Sequence, residues 1–297
     1  MIEACLQALA ERAPQVTPIV IDNASEDRTV ERVRAFPSVR VIANQENRGF
    51  AGAVNQGLQA MGADNALLLN PDVTLLTAID SLVEASEKYG ISAGKLVDNN
   101  GQAQKGFTIR RFPTPAALAF ELLGLNRLWP SNPVNRHYRY LDRDLDLPGP
   151  VEQPAGAFLM IRRDVWHHLD GFDERFHPVW FEDVDFCNRA IKNGFRIEYV
   201  PQVQAGHQGG HSVGQLKSGC RTLYWCASLL RYAAKYFSLW EYRGICLTII
   251  LGSLPRSGLR MIRERSFAPV TTWVEVVKLA VRRCVTPDGI SVSPKQS

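Results

Sequence analysis

Three carboxylates, Glu182, Asp183 and Asp185, fall within four residues of "VWFEDVDFCNRA", directly after Trp180 and Phe181. Carboxylates held beside apolar surface lose hydration, which raises their pKa toward values useful for taking a proton from a hydroxyl. Phe181, Val184, Cys187 and Ile191 recur at intervals of three and four, so the stretch is expected to open an amphipathic helix. Acidic residues in a first turn also complement the helix dipole. Asp185 lies four residues before Arg189, the spacing of a helix-surface pair, and is read as structural. Glu182 and Asp183 stay open between capping and general-base chemistry.

The elements that must position such residues alternate in period. "TPIVID", "VRVIAN" and "ALLLNPD" read as buried strands, separated by helical pattern such as "FAGAVNQGLQAMG". Runs of this kind indicate an α/β fold, a mostly parallel, Rossmann-like sheet flanked by helices on both faces. Ligands of such sheets collect beyond the carboxyl ends of the strands, where Asp22 and Asp72 stand. An Asx turn or a helix cap accounts for either aspartate alone; two on one sheet edge favour a site. Further on, "AGAFLMIRRDVWHHLDGFDERF" reads as a strand and a helix stopped at Asp170-Gly171, and "FRIEYVP" as another strand. In "AGHQGGHSVG", Gly209 and Gly210 disfavour a helix, so His207 and His211 do not form a zincin-like pair. Neither a G-x-G-x-x-G nor a Walker A motif occurs.

With 297 residues, 45% of them hydrophobic, the chain has material for one large domain or two small ones. Its net charge of +4 is too small for a dedicated nucleic-acid binder. The opening "MIEACLQALAER" is acidic where a signal peptide is basic, which points to the cytosol. Six scattered cysteines without a C-x-x-C pair suit neither a zinc site nor a disulfide framework. Three parts are expected: 1–97, 98–215 with turn-rich sequence around a short apolar helix in "AALAFELLGL", and a helical extension over 216–297. In that extension the uncharged run from Ile245 to Leu254 is about half the roughly twenty residues that a bilayer crossing needs, so no crossing is expected. Its apolar stretches beside Trp240, Arg256, Arg260, Arg263 and Arg265 fit either a membrane interface or helices packed on the catalytic domain.

The ordered set "VIDNASEDRT", "NQENRGFAGAVNQG", "LLLNPDV", "GAFLMIRRDVW", "GFDERF", "WFEDVDFCNRA" and "HQGGHS" resembles the inverting family 2 glycosyltransferases, in particular their bacterial rhamnosyltransferase-like branch, over about the first 240 residues. The resemblance implies a GT-A fold, a nucleotide-sugar donor, Mg2+ or Mn2+, and inversion at the anomeric carbon. It implies that Asp22 contacts the nucleotide base and that Asn23, Arg48 and Asn55 belong with the donor site. Asp72 matches the last member of the family's D-x-D motif, whose first aspartate is replaced by Asn70, and His207 matches a loop histidine reaching the metal or the diphosphate. With one carboxylate fewer, a cation leans more on phosphate oxygens and water. Asp183 matches the catalytic base, Glu182 its orienting neighbour, and Arg48 a cation near the leaving diphosphate.

Family members open with a strand of about ten residues with its turn, feeding a helix like the one that begins at Ile2; this chain starts inside that helix, so the first strand is expected to be missing. A start assigned too late is favoured over a natural truncation. The leading expectation is a glycosyltransferase at the inner face of the cell membrane, moving a sugar, L-rhamnose from dTDP-rhamnose, onto a glycan or polyprenyl-diphosphate-linked acceptor. A nucleotidyltransferase and a truncated, inactive binding protein are the rivals.

Overall fold

The computed structural model describes residues 1–209 and 218–285. His211 lies outside them. The chain divides into two compact units, Met1–Phe112 with Asn135–Gln215, and Pro113–Val134 with Leu216–Ser297. The expected boundary at 97 falls inside the first unit, because strands on both sides of it share one sheet. The apolar helix signal expected within 98–215 instead belongs with the C-terminal helices.

In the first unit, α1 (Ile2–Arg12) leads to β1 (Ile19–Asp22), α2 (Thr29–Val33), β2 (Arg40–Ala43) and α3 (Gly49–Ala60). There follow β3 (Asn65–Leu69), β4 (Val73–Leu75), α4 (Asp80–Tyr89), β5 (Gly90–Val97) and β6 (Ile109–Arg110). β1 and β2 pair in parallel as a sheet of two. The main sheet runs β3-β9-β5-β10-β4, with β9 (Phe158–Arg162) and β10 (Arg196–His207) placed centrally. The α/β class and the helix-flanked sheet hold, but the pairing is mixed: β5 and β10 run parallel, whereas β9 is antiparallel to both β3 and β5, and β10 to β4. The cause is that β9 returns between two strands which a simple crossover series would set side by side. β1 and β3 share no ladder. The short β7 (Gly149–Pro150) flanks β10, and β8 (Gln153–Pro154) pairs with β6.

β9 is buried on both faces, and its period of two divides the core. Leu159 and Ile161 join Leu58 of α3, Val165 of α8 (Arg163–His168), and Phe186, Cys187 and Ala190 of α9 (Glu182–Lys192). Phe158 and Met160 join Leu9 of α1, Leu75 of β4 and Leu82 of α4 on the other face. Gly94 of β5 is required where the Phe158 ring crosses, since a Cβ there would overlap the ring.

The second unit contains α5 (Pro115–Leu123), capped by Thr114 at its start and by left-handed Gly124 at its end, and α6 (Leu125–Leu128). α7 (Pro133–Tyr138) runs across the boundary residue. Three further helices span Ser218–Tyr236, Leu239–Glu264 and Ala268–Val285. The middle one continues through Pro255 for 26 residues. By length and composition it is sufficient to cross a membrane, with a quarter of its apolar window buried. The expectation of too short a run stopped counting where the charges begin, whereas the helix does not stop there.

The predicted amphipathic helix is present as α9, and the reading of Asp185 as structural holds in detail. Its fully buried carboxylate accepts from Arg189 Nε at 2.7 Å, and the same guanidinium donates to the carbonyls of Leu169 at 2.6 Å and Gly171 at 2.8 Å. Asp185→Ala leaves that guanidinium without its counter-charge in a largely desolvated site, and is expected to cost about 3 kcal/mol of stability, measured by urea unfolding of the whole chain.

Candidate active site

Asp183 sits in the first turn of α9, after two consecutive aromatic residues, Trp180 and Phe181, in left-handed backbone with φ of 80° and 70°. Non-glycine residues adopt that region only where surrounding contacts enforce it, at a cost on the order of 1–3 kcal/mol each. The chain leading into these two residues is tied to the start of α3 and the residues just before it. Phe50 N–H donates to Pro178 O at 2.8 Å, and His177 Nε2 lies 3.2 Å from Asn47 O. A Cβ on Gly49, whose φ is +75°, would stand 2.8 Å from the His177 ring, so the approach requires glycine.

The Asp183 carboxylate is oriented by backbone. Its Oδ2 accepts from Gly156 N–H at 3.1 Å and from Gln153 Nε2 at 3.4 Å, and Oδ1 accepts from Val184 N–H at 2.8 Å. Burial nevertheless raises its pKa, opposed by these hydrogen bonds and by the charge of Arg110. Glu182 does not orient it. The Glu182 side chain is 4% exposed, its Oε2 has no hydrogen-bond partner, and burial followed by the charge of Asp183 pushes its pKa well up. Burial thus disfavours the charged form of Glu182, and the orienting task expected of it falls to Gly156, Val184 and Gln153.

The "NPD" turn is adjacent through one short stretch of chain. Asn70 N–H donates to Ala157 O at 3.1 Å, next to the glycine that holds Asp183. Asp72 is brought to His207 because β4 pairs with the end of β10, Val73 opposite His207. Both side chains are buried, and His207 Nε2 lies 3.7 Å from Asp72 Oδ2. The His207 proton is assigned by Gln104. Gln104 Nε2 donates to His207 O at 2.7 Å, so its Oε1, 2.9 Å from Nδ1, accepts from the ring. Burial lowers the His207 pKa against the opposing charge of Asp72. A neutral ring with Nδ1 protonated directs its Nε2 lone pair at a carboxylate oxygen, an arrangement relieved by a cation between them. The residues therefore fit a divalent ion held by Asp72 and His207, with the remaining positions left to phosphate and water. No cluster of three His, Cys, Asp or Glu exists among the described residues, and Asn70 contributes backbone contacts to the turn.

Asp22 ends β1 with one oxygen accepting from Ser25 N–H at 3.2 Å, while the buried Oδ1 has no partner. Asn23 is a scaffold. Its amide donates to Asn47 Oδ1 and Gly49 O and accepts from Asn44 Nδ2 and Arg48 N–H, at 2.9 to 3.3 Å. The Arg48 side chain is exposed at the start of α3. Asn55 does not join the donor group. The four hydrogen bonds of its side chain, with Phe172 N and O, Glu174 Oε1 and Trp166 Nε1, tie α3 to the "GFDE" turn and to α8 at 2.8 to 3.2 Å.

Gln104, Phe107, Arg110 and Gln153 were missed by sequence reasoning. Phe107 stacks on the His207 ring, centroids 4.9 Å apart at 9°, and Arg110 lies 5.7 Å from the other ring's centre. Arg110 pairs with Gln153 between β6 and β8, and its Nε donates to Gly106 O at 2.6 Å. One stack thus links the Asp72–His207 pair to the cation that faces Asp183. Their only sequence signal was a polar residue on either side of a short strand.

Comparison with known proteins accords with this geometry. Residues 1–169 match the family described as Glycosyl transferase family 2, and residues 133–222 match Glycosyltransferase like family 2. A mannosyltransferase from Pyrobaculum calidifontis, solved with GDP-Man and Mn2+, aligns over 97% of this chain and 84% of its own with a TM-score of 0.50 at 14% identity. The fold is that of the GT-A glycosyltransferases. The chain belongs to glycosyltransferase family 2 and is a glycosyltransferase using a nucleotide-sugar donor. It is 28% identical to the N-acetylglucosaminyl-diphospho-decaprenol L-rhamnosyltransferase of Mycobacterium tuberculosis over 87% of this chain and 89% of that protein. It is 29% identical to the rhamnosyltransferase WbbL of Escherichia coli over 50% of this chain and 53% of that protein.

Gln104→Leu removes the acceptor that fixes the His207 proton. Mn2+ affinity, read by titration calorimetry in the presence of nucleoside diphosphate, is expected to fall about 10- to 100-fold, with far-ultraviolet circular dichroism unchanged.

Proposed function

We propose that the chain transfers L-rhamnose from dTDP-rhamnose to a glycan carried on a polyprenyl diphosphate, with inversion, at the cytosolic face of a membrane. The observation that carries the transfer chemistry is the backbone connection from Asp183 through Gly156 and Ala157 to Asn70, two residues before Asp72. The rhamnosyltransferase relatives support the sugar, and the decaprenol-linked substrate in the name of the mycobacterial relative supports the acceptor. The unpartnered Asp22 Oδ1 supports a thymine or uracil base, whose ring imide N–H is the donor this oxygen lacks.

Asp183 takes the proton of the acceptor hydroxyl as that oxygen bonds to the anomeric carbon, from the face opposite the diphosphate. The bond to the diphosphate oxygen breaks and its electron pair leaves with the nucleotide, so the configuration inverts. A divalent ion held by Asp72 and His207 would supply positive charge to the diphosphate. Arg48 and Arg110 offer further positive charge, and Asp22 fixes the base. Burial keeps the Asp183 carboxylate poorly hydrated, with the buried Phe181 two residues before it.

Asp183→Asn is expected to lower transfer by at least about 1000-fold, while Asp72→Ala weakens metal-dependent donor binding. A nucleotide-sugar panel with Mn2+, reading released nucleoside diphosphate and the anomeric configuration of the product, tests both. Retained configuration or release of pyrophosphate contradicts the proposal.

The raised pKa of Asp183 sets the sign of the pH dependence. As pH falls through that pKa a proton occupies the base and kcat/KM is lost, so the acid limb lies above the ordinary aspartate value. Arg110→Gln removes an opposing charge and is expected to move the limb further up, measured as the pH profile of kcat/KM.

A further inference from the structure

The second unit concentrates exposed apolar surface and positive charge. Of the seventeen large hydrophobic residues that are exposed among the described residues, thirteen belong to it, though it is the smaller unit. Residues 113–134 and 216–297 carry 14 Lys and Arg against 5 Asp and Glu, a net +9, while the other residues carry 20 against 25, a net −5.

The helix Leu239–Glu264 separates two apolar faces. Tyr242, Ile245, Cys246 and Ile249 are buried, Tyr242 Oη donates to Arg283 O at 3.0 Å, and Gly252 lies so close to Leu122 O of α5 that a Cβ would overlap it. Trp240, Leu247, Leu251, Leu254 and Ile262 are each more than half exposed. At 100° per residue these five fall within a wedge of about 80° on the opposite side. Trp240, 77% exposed, has the Arg243 guanidinium over its ring at 5.5 Å. Paired Trp and Arg at the edge of an apolar stripe suit the boundary between lipid headgroups and acyl chains.

We propose that this stripe docks the protein in the plane of an anionic lipid surface, the acyl layer receiving Leu247, Leu251 and Leu254 and the headgroups Arg243 beside Trp240, with the net positive charge of the unit drawing it to the surface. The inference rests on the reading above in one respect: an acceptor carried on a lipid is delivered at such a surface. Lying in plane, and not crossing, follows from two features. The opposite face is already covered between Tyr242 and Gly252 by the unit's own helices, and Arg256 and Arg260 would put two charges into a crossing segment.

The full chain is floated with phosphatidylcholine vesicles and with vesicles that also contain phosphatidylglycerol. Binding is expected to be about tenfold or more tighter to the anionic vesicles and to weaken as salt rises. The triple variant Leu247→Glu, Leu251→Glu, Leu254→Glu is expected to lose vesicle binding about tenfold or more. Its hydrolysis of the nucleotide sugar should stay at the wild-type rate, which also reports folding. Equal flotation of variant and wild type, equal binding to both vesicle types, or retention after alkaline carbonate extraction overturns the proposal. So does a wild-type dimer that the triple variant abolishes while neither floats, which would assign the stripe to a second copy of the chain. Wild-type flotation without turnover of any nucleotide sugar contradicts the functional reading alone, and turnover without flotation contradicts the docking alone.

Discussion

Two neighbouring residues at the start of β9 hold both halves of the candidate chemistry. Gly156 donates its N–H to the carboxylate of Asp183, and Ala157 accepts from Asn70 in the "NPD" turn. The constraint is steric as well as polar, since a Cβ at position 156 would stand 3.0 Å from the Asp183 Cβ. Without this close approach α9 would sit further from β9, and the base would lose the Gly156 N–H that helps keep its charge tolerable in a poorly hydrated place. The antiparallel return of β9 beside β3 is what carries these residues to the end of the neighbouring strand. The mixed sheet is thus part of how the site is assembled.

The remaining positions are coupled by charge. Gln104 fixes one face of His207, Phe107 covers the ring, and Arg110 lies beyond Phe107 within electrostatic reach of Asp183. Glu182 has no such opposite charge, so burial and the charge of Asp183 push its pKa well up. Adjacent acidic residues therefore differ in environment, because donors from Gly156 and Gln153 reach Asp183 while Glu182 Oε2 is left without a partner. That separation of environments is how a fold sets two carboxyl groups to different protonation states at one pH.

Much of this was legible in the residues. The β1, β2, β3 and β9 runs, the helical period of α9 and the Asp185–Arg189 pair follow from local pattern, and local pattern formed them. Asp72 and His207 could be nominated from strand-end position and resemblance, and the β4–β10 ladder makes them neighbours. Long-range facts were not legible. Asn55 stands in a helix near the donor group, yet α8 and the turn at 171–174, more than a hundred residues on, take the hydrogen bonds of its side chain. Gln104 and Arg110 acquire meaning only when β10 and β8 arrive beside them. The helix Leu239–Glu264 was underestimated because only the uncharged run from Ile245 to Leu254 was counted, whereas the helix continues through Pro255 and the arginines that follow.

The central claim is that the "NPD" and "WFED" residues serve one donor molecule from opposite sides of a sugar. A crystal of the protein with Mn2+ and a nucleoside diphosphate, phased on the manganese anomalous signal, tests it most directly. The account predicts a manganese peak within about 2.5 Å of Asp72 and of His207 Nε2, with the terminal phosphate facing Asp183 across a sugar's width. A peak held away from Asp72 and His207, or a diphosphate walled off from Asp183 by protein, would contradict it.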